Sequence, residues 1–179
     1  NNSGLEIAGN NIQGSIDINY NRKGNYAYSV WIHDNVSDHN PFNQREEDGI
    51  VFEFETADAI VENNKFINQA IGITFNMRTP TNNGGYNNPM PVGGYSACTN
   101  IIIRNNLFAN LYSSYSYGNC CGSAGIQFYT EGETKDAYVR NLQISNNTFV
   151  NLTGHATNTG IDLTHFINGT SPRADSITI

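Results

Sequence analysis

The sequence predicts an all-β fold, a parallel solenoid of short strands stacked coil upon coil. The first observation behind this is a returning phrase: "AIVENNKFIN" at 59–68, "NIIIRNNLFAN" at 100–110 and "NLQISNNTFVN" at 141–151. Weaker copies lie upstream, "LEIAGNNIQG" at 5–14 and "VWIHDNVSD" at 30–38. The second is a phrase that follows each first one: "SIDINYN" at 15–21, "GIVFEFE" at 49–55, "GITFNMR" at 72–78, "GIQFYTE" at 125–131 and "GIDLTHF" at 160–166. Self-similarity of this kind marks a repeat architecture, in which each unit buries its apolar face against its neighbours. The third is composition. Asparagine and glycine are abundant and only 14% of residues are charged, which disfavours helical bundles.

The first phrase reads as a strand followed by a corner. Val61, Ile103 and Ile144 occupy one inward position, joined by Ile7 and Ile32, and the alternation has period two. The asparagine pairs Asn63-Asn64, Asn105-Asn106 and Asn146-Asn147 then coincide, followed by Phe66, Phe108 and Phe149 and by Asn68, Asn110 and Asn151. Stacked at the ~4.8 Å strand spacing, the asparagines become a ladder, each side chain bonding the turn above or below.

The second phrase is another strand. Ile16, Ile50, Ile73, Ile126 and Ile161 align and point inward, as do Ile18, Phe52, Phe75, Phe128 and Leu163. The preceding glycine suits a corner where φ is positive or where backbones approach closely. The shortest unit, Ile50 to Ile73, is 23 residues, the length of one turn of a three-sided coil. The others, at 34, 53 and 35 residues, carry inserted loops, giving about five coils over residues 1–179. A leucine-rich solenoid would need its Leu-x-x-Leu-x-Leu signature, which is missing.

The net charge of −7, with nine Lys and Arg, argues against a nucleic-acid partner. No apolar run approaches the ~20 residues of a membrane span, so no membrane partner is expected. The closing "DSITI" looks like the start of another copy, and the chain reads as a piece of a longer β-helix that packs against further coils or another domain. Cys98, Cys120 and Cys121 fit either a disulfide from Cys98 to one of the other two, in a secreted protein, or three thiols.

The alternation I-x-I-x-N-N-x-F-x-N resembles the right-handed parallel β-helix repeat of the pectin-lyase-like superfamily over nearly the whole chain. The resemblance implies a right-handed, single-stranded parallel β-helix and a carbohydrate-active protein, extracellular or periplasmic. It is silent about chemistry, because that superfamily includes lyases, hydrolases, epimerases, tailspikes and adhesins. "SVWIHDNVSDHN" superficially resembles the "vWiDH" region of pectate lyases, but here His33 precedes Asp34, and in a strand that exchange sends each side chain to the opposite face. The "NTD…DD…GHG…RIK" set of polygalacturonases and the "DPHE" of mannuronan epimerases are absent.

Function must then come from outward positions. On the second strand these form rows: Asp17, Val51, Thr74, Gln127, Asp162; then Asn19, Glu53, Asn76, Tyr129, Thr164; then Asn21, Glu55, Arg78, Glu131, Phe166. Amides and carboxylates bond sugar hydroxyls and an aromatic ring stacks on a pyranose, so these rows have the inventory of a sugar groove. Glu53 and Glu55 are the candidate catalytic pair, two residues apart on one face with Cα atoms ~6.6 Å apart. Glycoside hydrolysis needs a proton donor and a base or nucleophile. Arg78 is expected beside Glu55 and would lower its pKa, which leaves Glu53, between Asn19 and Asn76, as the acid. Asp17, Asn19, Asn76, Arg78, Gln127, Tyr129 and Asp162 are the expected substrate-binding residues.

Asp48 caps the corner, binds a cation with Glu46 and Glu47, or reaches the cleft; calcium is the one ion such acids would take, and no cofactor motif is present. His33, His39, His155 and His165 show no metal-site spacing and read as surface or turn residues. Long inserts at 78–100 and 111–125 carry Tyr86, Tyr95, Tyr112, Tyr115 and Tyr117, either walls of a sugar cleft or loops that pack on themselves. Trp31, Ile60 and Ile102 form an outward apolar strip. The expected activity is hydrolysis of a neutral oligo- or polysaccharide. The alternatives are a non-catalytic glycan-binding, adhesin or tailspike-like β-helix, and then a lyase or epimerase, for which one arginine on an acidic face is a poor fit.

Overall fold

The computed structural model describes residues 4–19, 22–23, 26–27, 29–39, 48–53, 56–78, 97–113, 123–131, 138–154, 158–166 and 173–179. Among the described residues there is no helix. In chain order the strands are β1 (Leu5–Ala8), β2 (Asn11–Ile12), β3 (Ile16–Asn19), the hairpin β4 (Arg22–Lys23) and β5 (Tyr26–Ala27), β6 (Val30–His33), β7 (Val36–Asp38) and β8 (Asp48–Glu53). They continue as β9 (Thr56–Glu62), β10 (Lys65–Ile67), β11 (Ile71–Arg78), β12 (Ala97–Arg104), β13 (Leu107–Ala109), β14 (Tyr112–Ser113) and β15 (Ala124–Glu131). The last are β16 (Tyr138–Ser145), β17 (Thr148–Val150), β18 (Thr153–Gly154), β19 (Thr159–Phe166) and β20 (Arg173–Thr178).

Every third strand or so returns to the same sheet. Sheet A runs β1-β6-β9-β12-β16-β20, sheet B β2-β7-β10-β13-β17 and sheet C β3-β8-β11-β15-β19. All three are parallel throughout, and successive passes of the chain lie side by side, an arrangement consistent with a parallel β-solenoid.

The inward columns follow the aligned phrases. Ile7, Ile32, Val61, Ile103 and Ile144 are in register across sheet A. Ile16, Ile50, Ile73, Ile126 and Ile161 are in register across sheet C. Phe66, Phe108 and Phe149 stack with ring centroids 5.0 and 4.9 Å apart. Phe52, Phe75 and Phe128 form a second column at 5.4 and 5.1 Å. Full burial, as at Phe52, Phe66, Phe75, Phe108 and Phe128, stabilises by roughly 1.5–3 kcal/mol per ring, and a ring pair adds about 0.5–1.5. Cys98 lies in the same core as a fully buried thiol, and burial pushes its pKa up to about 12.

The corners divide the work between adjacent asparagines. Asn63, Asn105 and Asn146, with Asp34 in the same column, take the left-handed conformation at φ 55–57°. Asn and Asp tolerate it best among residues with a Cβ. The next residue forms the ladder: the Oδ1 of Asn35, Asn64, Asn106 and Asn147 each accepts from the backbone N–H and the amide Nδ2 of the asparagine one pass earlier, at 2.9–3.1 Å. Asn64 and Asn106 are 2% exposed, so these bonds satisfy groups that water cannot reach. Asn68, Asn110 and Asn151 form a further left-handed column after sheet B, and Asp58, Asn100, Asn141 and Ser176 another within sheet A.

Of the two reasons open for the corner glycines, the second holds. Gly49, Gly72 and Gly125 are not at positive φ, but a Cβ at Gly72 would lie 2.3 Å from the Phe108 ring and 2.6 Å from Gly125 O. Gly125 stands in the same relation to Phe149, and Gly49 to Phe66.

Candidate functional site

Alternation along sheet C turns Ile73, Phe75, Ile126 and Phe128 into the core and the residues between them outward. Parallel register sets those outward residues in rows. Asp17, Val51, Thr74, Gln127 and Asp162 are successive partners, and so are Asn19, Glu53, Asn76 and Tyr129. Glu53 therefore sits in backbone register between Asn19 and Asn76. Arg78 lies in backbone register with Glu131. Glu55 lies outside the described residues, as do Glu46, Glu47, Tyr86, Tyr95, Tyr115, Tyr117, Cys120, Cys121 and His155.

The rows are not uniform in depth. Asp17 is exposed and Asp162 half-buried, whereas Thr74, Asn76 and Gln127 are 3%, 7% and 2% exposed. The centre of the outer face is thus a closed polar floor with a carboxylate residue at each end, Asp17 and Asp162. Thr74 Oγ1 and Gln127 Oε1 have no hydrogen-bond partner among the described residues. Register also shifts between Gln127 and Tyr129, so that Tyr129 partners His165 and not Thr164. One extra residue on β19 is a bulge, which no alignment of short phrases reveals. Asp48 opens β8, its carbonyl accepting from Ser15 Oγ at 2.6 Å.

A second polar cluster lies on the outer face of sheet A. Trp31 is 42% exposed, stacked on the His33 ring at 3.9 Å, with its indole N–H donating to Glu62 Oε1 at 2.9 Å. His33 Nδ1 lies 2.7 Å from Asp34 Oδ2 and Nε2 lies 3.0 Å from Glu6 Oε1. The hydrogen bond to Asp34 first, then that to Glu6, raises the His33 pKa above its ordinary value. Arg104 Nε donates to Glu62 Oε2 at 2.7 Å and is the main reason the Glu62 carboxyl titrates below its usual range; the Trp31 bond adds to it.

Strand alternation alone would put His33 and Asp34 on opposite faces. Asp34 has already left the strand at φ 55°, which swings its carboxylate back to the imidazole. His39 is no surface residue either: it is 4% exposed, with Nε2 3.1 Å from Gly14 O. The signal for the His33 cluster was present in the aligned isoleucines. Ile7 beside Ile32 makes Glu6 the partner of Trp31 and a diagonal neighbour of His33. Among the described residues no group of three or more His, Cys, Asp or Glu is arranged to hold a metal ion.

No known family model matches this chain, and neither does any curated protein or solved structure.

Proposed function

We propose that the chain forms a right-handed, single-stranded parallel β-helix of about five coils, of the kind its repeat resembles, within a secreted carbohydrate-active protein. Its activity, in this reading, is hydrolysis of a neutral oligo- or polysaccharide on the outer face of sheet C. The observation that carries it is the register of that sheet, which lines up Asn19, Glu53 and Asn76. A carboxyl whose register neighbours are amides keeps its proton more readily than one beside an arginine. Glu53 then protonates the leaving oxygen, and Glu55 acts as base or nucleophile. Asp17 and Asp162 bond sugar hydroxyls at the two ends of the row, while Asn76 and Gln127 support the face from below. Arg78 and Tyr129 extend it along the strand.

A second reading is a glycan-binding β-helix without catalysis. The unpartnered Thr74 Oγ1 and Gln127 Oε1 favour it, because buried polar atoms left unsatisfied mark a place where a ligand's hydroxyls would be welcome. Both atoms are closed to solvent, so binding there requires the face to open.

The test is product chromatography after incubation with neutral and acidic glycans, wild type beside Glu53→Gln and Glu55→Gln. The hydrolase reading expects saturated reducing-end products that disappear in either variant while the fold is kept. Unsaturated products would replace it with a lyase, and glycan retention without cleavage would leave the binding scaffold.

A further inference from the structure

We propose that Glu6, His33 and Asp34 form a proton-operated clasp on the outer face of sheet A, holding β1 against β6 and loosening as pH rises. The chemistry lies in the imidazole. Both ring nitrogens of His33 face carboxylate oxygens, Nδ1 at 2.7 Å and Nε2 at 3.0 Å. Carboxylates only accept, so both contacts are hydrogen bonds only when both nitrogens carry hydrogen, that is, in the imidazolium. A neutral ring has one N–H. Losing the proton turns one of the two contacts into an opposition of lone pairs, and Asp34, the immediate neighbour, is the partner that keeps its bond. Glu6 is then repelled, and β1 loses its side-chain bond to His33.

The position makes that loss matter. Among the described residues β1 is an end strand of sheet A, and its residues are exposed apart from half-buried Ile7. Beyond its ladder to β6 it has the end bonds Leu5 N–H to Ser29 O at 2.8 Å and Gly9 N–H to His33 O at 3.3 Å, and Asn35 Nδ2 donates to Ile7 O at 2.8 Å. The charged groups facing His33 are Glu6 from β1, Asp34 from its own turn and Glu62 from β9, the last neutralised by Arg104 of β12. Glu6 and Asp34 favour the charged ring, as does the Trp31 indole stacked on it. The sign follows. A histidine whose folded pKa is raised contributes stability that is complete below its unfolded value near 6.5, and the contribution disappears as pH rises through the folded value.

Trp31 is the chain's only tryptophan, so its emission reports the surroundings of this one indole, the His33 ring among them. A charged imidazole quenches a stacked indole. The experiment is a fluorescence titration from about pH 5 to about pH 9, combined with hydrogen-exchange protection of the Leu5 and Gly9 amides. The clasp expects emission to rise with a midpoint above 6.5 while the protection of both amides falls severalfold over the same interval. Glu6→Gln should lower that midpoint, and His33→Gln should abolish both changes while the inner strands stay protected. Flat emission, a step that survives His33→Gln, or a step with unchanged amide protection would each overturn it.

Discussion

At the scale of single residues, the two asparagines of each corner do unlike jobs that the sequence writes identically. Asn105 is there for its backbone, whose φ of 56° few side chains accept, and Asn106 for its side chain, which spans three passes of the chain. Its Oδ1 accepts from Asn64 N–H at 2.9 Å, its Nδ2 reaches Val61 O at 3.0 Å, and its own N–H donates to Asn147 Oδ1 at 2.9 Å. Asn106→Ala removes the first two and leaves the buried Asn64 N–H without its partner, which costs about 1–3 kcal/mol. We therefore expect a loss of about 2 kcal/mol in urea unfolding. Asn10→Ala, at the exposed end of the same ladder, should cost under about 1 kcal/mol, because water replaces what is lost. Equal losses at the two positions would contradict the role assigned to burial.

At the scale of elements, what fixes the corner between sheets B and C is a ring lying against bare backbone. Gly72 leaves room for Phe108, and a methyl group there would meet ring carbons at 2.3 and 2.4 Å and Gly125 O at 2.6 Å. Gly72→Ala should cost about 3 kcal/mol, at the upper end of overpacking. Phe108→Leu in the same chain should recover part of that, because the smaller side chain yields space while the clash with Gly125 O stays; strictly additive losses in the double variant would contradict the contact. This is also the scale at which the sequence was legible. The inward columns and their register were readable from Ile7, Ile32, Val61, Ile103 and Ile144, since a one-residue slip would turn each of them to the outside. Rows such as Asn19, Glu53, Asn76 followed from the same register. What could not be read was depth and local departure from alternation. The burial of Thr74 and Gln127, the bulge after Gln127 and the turn that returns Asp34 to His33 all depend on contacts or dihedrals that no period encodes.

At the scale of the whole molecule, each strand touches chiefly the strands one pass before and after it, so stability is close to a sum of neighbour terms and not one global quantity. Phe128 tests this. It is fully buried in β15, edge-on to Phe75 at 5.1 Å. Phe128→Ala removes a transfer contribution and leaves a cavity, a loss of about 3–5 kcal/mol at the site. In a single cooperative unit, that loss would lower every unfolding transition alike. In a stack of neighbours it should strip hydrogen-exchange protection from β15, β16 and β19 while β6 and β9 keep theirs. Trp31, in β6, gives the independent reading: its denaturant midpoint should move far less than the exchange at Ile126 and Leu142. A Trp31 midpoint that falls by the full amount would mean that the aromatic columns and the asparagine ladder couple all passes into one transition. The same result would show that a change at His33 is felt as far away as β19.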